Sequence, residues 1–446
     1  MEELLEKIKA LLLLKKYSEL RGVLNDMNPA DIALIFEELP EEKIPILFRL
    51  ISKDAAAQTF SFMESDKQEM LIKGFSDNEL KEVFEELYVD DAADIVEEMP
   101  ANVVKRILAN TTPETRRIIN EILKYPEDSA GSLMNTQYIS LRPTMTVSDA
   151  IKRIRRVIED AETAYTCFVT EEDRRLLGIL TIKTLLLADK DEKICDIMDE
   201  TDVYVFANDD KEDVAKAVRR YDLAAMPVVD TEMRLVGMVT FDDVFDVIRD
   251  EATEDLEMMA AIAPDEESYF KMSDFRHAKN RVVWLLILML SAAVTGQIIA
   301  GYEEAFAAEA ILVSFIPMIM GTGGNCGSQS ATLVIQGMSV DEIELSDFFR
   351  VLWLELRVSV VISIILAAVN ALRIIIQYHN PTLALVVSLS IIGTVIGSQI
   401  IGCALPMLAK KCRMDPAVMA APLITTLVDA GSIMVYFAIA TRFFNI

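Results

Sequence analysis

Five apolar segments, beginning near Val282, Ile311, Val351, Leu383 and Ala417, each run for about 20 residues or more, the length needed to cross a bilayer. A chain built this way must satisfy every polar group in those segments from within the protein or from water. Two segments break the apolar pattern. The second carries Gly321-Thr322-Gly323-Gly324-Asn325-Cys326-Gly327-Ser328-Gln329-Ser330, and so many glycines are expected to loosen a helix. Close packing through small residues is the plainer use of such a run, and it is compatible with a polar one. The fifth carries Pro422, Thr425, Thr426 and Asp429. A carboxylate near a bilayer centre costs roughly 3 kcal/mol even on lenient insertion scales. Asp429 is therefore expected to face a water-filled path or a bundle interior, where it attracts cations. The residues point to a cation-conducting membrane protein.

The net charge is -28, and it is unevenly placed. From residue 281 onward there are 8 Lys and Arg against 10 Asp and Glu, which leaves -26 on residues 1–280. A field of that sign disfavours nucleic acid and free anions and favours cations, although solubility alone is its simplest use. The five cysteines, Cys167, Cys195, Cys326, Cys403 and Cys412, show no CxxC spacing and read as reduced packing residues. His277 and His379 are the only histidines, which leaves no basis for a histidine-built zinc or iron site. No nucleophile–base set or P-loop supports an enzyme. The acidic, amphipathic start Met1-Glu2-Glu3-Leu4-Leu5-Glu6 lacks the basic and apolar regions of a secretory signal.

Residues 1–130 read as helix after helix, with apolar residues recurring at three and four. Asp31 to Pro40 is echoed by Asp91 to Pro100, which predicts a small superhelical stack. From about residue 136 to 250 short strands alternate with helices, twice. Leu177-Gly178-Ile179-Leu180-Thr181 recurs as Val236-Gly237-Met238-Val239-Thr240, each after an apolar strand. This resembles a tandem pair of CBS domains, usually regulatory modules. Thr240-Phe241-Asp242-Asp243 has the Thr-x-x-Asp that binds ribose in some CBS pairs, whereas Thr181-Ile182-Lys183-Thr184 lacks the acid. Thr240 and Asp243 are thus the candidates for ATP or another adenine nucleotide, with a purely structural threonine as the plainer reading. A long helix is predicted over about 243–262, with Asp243, Asp246, Asp250, Glu254 and Glu257 along one stripe and Glu251 and Asp255 beside it. Like charges at such spacing weaken an isolated helix, and this one leads straight to the first apolar segment. Lys410, Lys411 and Arg413 should be cytoplasmic. With five spans this puts the N-terminus inside and the C-terminus outside, and Trp284 and Trp353 near the cytoplasmic interface. The acidic loop Asp341-Glu342-Ile343-Glu344 also falls inside, so the charge rule is only partly obeyed.

Taken together, the chain resembles the MgtE family of magnesium channels and transporters. Tyr125 to Met134 resembles the family's junction before the CBS pair, Glu251-Ala252-Thr253-Glu254-Asp255 its linking helix, and Gly321 to Ser330 and Pro422 to Asp429 its pore segments. Ser432 and Cys326 depart from the residues common there. The resemblance implies an all-α superhelical N-domain (1–130), an α/β tandem CBS pair (131–245), a linking or plug helix (246–263) and a five-helix transmembrane domain (264–446). It implies a homodimer in the cell (inner) membrane, surrounded by membrane lipid and binding no nucleic acid, with one pore between the subunits. Asp429 would be the selectivity site, with Asn325 nearby. Mg²⁺ would be both cargo and regulator, because a hydrated ion can be gripped through its water shell by a few oxygens. The matching sensor positions are Asp90 and Asp94 in the N-domain, Asp210, Glu212 and Asp222 in the CBS pair, and Asp243, Asp246, Glu251, Glu254 and Asp255 on the linking helix. Asp415 would meet that helix near the pore mouth. An H⁺- or Na⁺-coupled divalent cation exchanger is the alternative, since Asp429 could equally relay protons.

Overall fold

Short amphipathic helices succeed one another through the N-terminal region because apolar residues return every three or four positions and turn residues interrupt them. In the computed structural model, which describes residues 2–159, 161–200, 203–265, 269–270, 272–302, 309–419 and 421–444, these are α1 (Glu2–Leu13), α2 (Tyr17–Asn25), α3 (Pro29–Glu37), α4 (Ile44–Phe48), α5 (Lys53–Ser61), α6 (Ser65–Gly74), α7 (Asp77–Glu86), α8 (Val89–Glu98), α9 (Ala101–Asn110) and α10 (Pro113–Ile122). Several starts are written in the sequence. Asn28 and Thr112 cap helices that begin with proline, and Ser76 forms a capping box with Glu79. Helices two apart along the chain stack, α3 on α5, α5 on α7 and α8 on α10, which produces the superhelix. Phe36, Phe48, Phe60 and Phe84 fill its core. Arg106 on α9 donates to the carbonyls of Ile72 and Phe75 at the end of α6, satisfying acceptors that a helix end leaves open.

The chain divides into two compact units, Met1–Ile248 and Arg249–Ile446. The first also contains the strand–helix repeat. Its helices are α11 (Ala130–Leu133), α12 (Val147–Val157), α13 (Ile182–Leu187), α14 (Ile194–Ile197) and α15 (Lys211–Tyr221). One sheet has the order β1 (Ser140–Leu141), β2 (Thr166–Thr170), β3 (Leu176–Thr181), β4 (Asp199–Glu200); the other has β5 (Val205–Phe206), β6 (Ala225–Val229), β7 (Leu235–Thr240). In both, the first strand pairs parallel and the next antiparallel, and both antiparallel pairs slip register near the same point, at Val169/Thr170 and Val228/Val229. The internal repeat is thus one motif built twice.

α16 (Phe241–Met259) leaves the second sheet and ends inside the second unit. That unit holds α17 (Asp274–Ala300), α18 (Ile316–Ser339), α19 (Phe348–Tyr378), α20 (Pro381–Lys411) and α21 (Ala421–Phe444), which carry five spans long and apolar enough to cross a membrane. The glycine run does not loosen α18, which is helical throughout. Its glycines let α18 pass between two neighbours: a Cβ on Gly402 of α20 would overlap the Gly327 carbonyl, and one on Gly323 would lie 2.7 Å from Ser432 Oγ on α21. Contacts of that closeness replace the stiffness that glycine lacks.

Candidate functional site

Burial divides α18 into two faces. Gly323, Gly324, Cys326, Gly327, Ser330, Ala331 and Val334 are buried. Gly321, Asn325, Gln329, Thr332 and Gln336 are exposed and recur at three and four, so they form one polar stripe along the helix. Asp429 on α21 meets α18 at Gly324, on the buried face next to Asn325. It is half-buried, and its Oδ1 lies 3.8 Å from where a Cβ on Gly324, the residue before Asn325, would stand. Thr425 and Thr426 both turn their hydroxyls back onto the Pro422 carbonyl, at 2.9 and 2.8 Å. Cys326 faces the apolar core and Ser432 is buried against Gly323, so neither departure from the family pattern lies on the polar stripe. Met259, the last residue of α16, packs against the apolar cluster that Ala331 and Ile335 of α18 form with Ile424 and Val428 of α21. Asp415 caps the turn before α21, accepting from the Ala417 N–H at 2.8 Å.

A second site lies in the first unit. Asp90 and Asp94 stand one turn apart on α8. The Asn135 amide nitrogen donates to Asp90 Oδ1 at 3.0 Å and to Glu162 Oε2 at 2.7 Å. Asn135 itself is pinned by reciprocal backbone bonds with Met238, at 2.7 and 2.9 Å, and its Oδ1 accepts from the Gln137 N–H at 2.6 Å. Gln137 in turn accepts from the N–H of Val89, the first residue of α8, at 3.2 Å. Asp243 joins from the start of α16, where Thr240 Oγ1 donates to it at 2.5 Å. Burial first, and then mutual repulsion, pushes these acids up: Asp90 to about 7, Asp91 to about 6, Asp94 to about 8, Glu162 to about 9 and Asp243 to about 7. For Asp243 the Thr240 hydroxyl opposes the rise. Among the described residues no three His, Cys, Asp or Glu side chains converge tightly enough to hold an ion directly. The cluster suits a cation that keeps its water shell.

The other sensor positions are dispersed. Asp210 caps the start of α15, accepting from the Glu212 N–H at 2.9 Å, and Glu212 pairs with Lys216 at 2.8 Å. Asp222 sits at the opposite end of α15 in the left-handed conformation, roughly 15 Å of helix away. Asp246 is exposed on α16, while Glu251, Glu254 and Asp255 are partly buried. The sequence reading missed Asp91, Asn135, Glu162 and Glu355. Glu162 lies in a loop with no pattern to betray it. Glu355 could have been found, as an ionisable residue within an apolar span.

Comparison with known proteins agrees with this layout. The sequence model of MgtE, described as a divalent cation transporter, matches residues 316–439, that of the MgtE intracellular N domain matches 27–128, and the CBS domain matches 130–191 and 194–250. The magnesium transporter MgtE of Thermus thermophilus is 35% identical over 94% of each chain. That of Bacillus subtilis is 32% identical over 100% of this chain and 98% of its own. A crystal structure of the cytosolic domain of the Mg²⁺ channel MgtE in complex with ATP is 36% identical, with a TM-score of 0.52, covering 55% of this chain and 99% of that one. With identity at this level running nearly from end to end, through the helical stack, the CBS pair and the glycine-lined helix, the chain belongs to the MgtE family of divalent cation transporters.

Proposed function

We propose that this protein is a Mg²⁺-selective channel of the cell membrane, a homodimer whose pore lies between the subunits and is closed by cytosolic Mg²⁺. The polar stripe on α18 carries the reading. Asn325, Gln329, Thr332 and Gln336 are exposed on a helix long and apolar enough to span a bilayer, and lipid cannot satisfy such groups. A water-filled path shared with a second copy can. Asp429 beside that stripe supplies the charge, and two such carboxylates would hold Mg²⁺ through its waters. An apolar stripe, Phe241, Phe245 and Ile248, is exposed on α16 and suits a surface covered by the partner subunit.

The acidic cluster is the proposed sensor. Asp90, Asp91, Asp94, Glu162 and Asp243 repel one another when ionised, so a divalent ion among them stabilises the compact arrangement by mass action. Asp210, Glu212, Asp222, Asp246, Glu251, Glu254, Asp255 and Asp415 are assigned to further bridging sites completed by the second subunit or by domain closure. Closure would press α16 onto the pore helices at Met259. Lys410, Lys411 and Arg413 support a cytoplasmic N-terminus and an extracytoplasmic C-terminus. The relative's ATP complex supports a nucleotide at the CBS pair. Thr240 and Asp243 are the candidates to hold its ribose, and the Thr240 hydroxyl already donates to Asp243. The deciding experiment is Mg²⁺ flux into liposomes for wild type and Asp429→Asn, with mass measured in detergent. We expect two chains per particle and near-abolished flux or lost selectivity in the variant. Wild-type flux and ion ranking in D429N would remove Asp429 from the path. Flux that depends on a proton or sodium gradient would favour the exchanger.

A further inference from the structure

Glu355 is a buried carboxylate that the proposed ion path does not use. It lies two turns into α19, is 8% exposed, and belongs to a helix apolar enough to cross a membrane. Its neighbours on the same buried stripe are Val351, Ser359, Ser363, Ala367 and Asn370, where small or apolar residues suffice for packing. An ionisable group in such a place is costly and marks a function by default. Among the described residues no basic side chain forms an ion pair with Glu355. Its partner is on α18: the Ser330 hydroxyl donates to Oε2 at 2.8 Å and lies 3.3 Å from the Gln399 carbonyl of α20.

Ser330 is on the buried side of α18, behind the polar stripe and five residues beyond Asn325. α18 carries Gly321, Gly323, Gly324 and Gly327 just ahead of that point, so its own resistance to twisting is low. Rotation of α18 about its axis would turn Asn325 and Gln329 out of the line of the path. A hydrogen bond from behind opposes that rotation. The residue after Ser330, Ala331, belongs to the cluster on which Met259 of α16 packs. The cluster that receives the linking helix thus begins next to the level at which α19 grips α18.

We propose that Glu355 is a positioning residue for the ion path: through Ser330 it holds α18 in the rotation that aims Asn325 and Gln329 at the path, and it gives the end of α16 a fixed surface to act on. The proposal rests on α18 lining the path; Glu355 itself touches no ion. The test uses the full chain in liposomes, with Mg²⁺ and Co²⁺ flux measured separately for Glu355→Gln, Glu355→Leu, Ser330→Ala and the E355L/S330A pair. Glutamine keeps an acceptor for Ser330, so E355Q should stay within about two-fold of wild type with an unchanged Mg²⁺/Co²⁺ ratio. E355L and S330A should each lower Mg²⁺ flux by about ten-fold, the scale of one hydrogen bond, and should shift the ion ratio. The pair should be no worse than either alone, because both remove the same bond. Wild-type flux and ratio in E355L and S330A would overturn the proposal. So would an E355Q as damaged as E355L, or losses that multiply in the pair. If E355L fails to assemble, S330A, which deletes one hydroxyl, decides alone. Absence of Mg²⁺ flux in the wild-type protein would instead refute the path itself.

Discussion

Glu162→Gln isolates the repulsion stored in the acidic cluster. One nitrogen of Asn135 holds Asp90 Oδ1 at 3.0 Å and Glu162 Oε2 at 2.7 Å, so those oxygens are at most about 5.7 Å apart. Two unit charges at that separation repel by about 3 kcal/mol at an effective dielectric of 20. Burial first, and then this repulsion, makes Glu162 hold a proton: it is pushed from 4.5 to about 9. A raised carboxyl pKa makes the folded state bind more protons than the unfolded one. Its stability is thus full below the unfolded value, near 4.5, and is lost as pH rises through about 9. Glutamine keeps the size and an acceptor for Asn135 but needs no proton. At pH 8 without divalent ions wild type must take up that proton from solution and E162Q need not, so local opening of α8 should be harder in E162Q by at least about 3 kcal/mol, on the order of 100-fold slower hydrogen exchange of its amides. At pH 5 the variant and wild type should differ little. Added Mg²⁺ should protect α8 strongly in wild type and weakly in E162Q, because the variant has less repulsion for an ion to relieve. The assay is hydrogen exchange of the peptide spanning α8, with both proteins compared at the same pH. Equal or faster exchange in E162Q at pH 8, or the same Mg²⁺-induced protection in both, would refute the reasoning.

Three further outcomes follow from named contacts. Gly402→Ala places a methyl against the Gly327 carbonyl, which is backbone and yields poorly; overpacking of this kind costs about 1–3 kcal/mol, so the thermal midpoint and Mg²⁺ flux should both fall, and an unchanged midpoint would contradict the tight α18–α20 contact. Neutralising Glu251, Glu254 and Asp255 together should move inhibition by internal Mg²⁺ to higher concentration while ion ranking is kept, as read by open probability in single-channel recordings; an unmoved midpoint would remove these three residues from the sensor. ATP titrated calorimetrically against the intact protein should bind weakly, because Thr184 replaces the acid in the first Thr-x-x-Asp position and Asp243 is engaged by Thr240 among other carboxylates; tight binding lost in Asp243→Asn would reverse that assignment.

Local order along the chain was open to reading because it depends on near neighbours in sequence. The three-and-four spacing of the N-terminal helices, the duplicated strand motif, the caps at Asn28, Ser76 and Thr112, and five apolar spans all follow from periodicity and from residues a few positions apart. Asp429 declared itself, because charge in an apolar run has few explanations. The glycine run was legible as unusual but not as straight helix. Its stiffness comes from Gly402, Ser398, Thr394, Val428 and Ser432, which lie far along the chain, and backbone contacts between helices leave no local trace. The same reason hid the acidic cluster. Asp90, Asn135, Glu162 and Asp243 come from four separated stretches, and only the seating of α8 beside the CBS pair places them within reach of one another. Burial decides how their protons are held, and burial is set by the whole fold. The two faces of α18 divide likewise. Composition made the helix polar, but only its packing between α20 and α21 determined that Ser330 points inward to Glu355 while Asn325 and Gln329 are left outside.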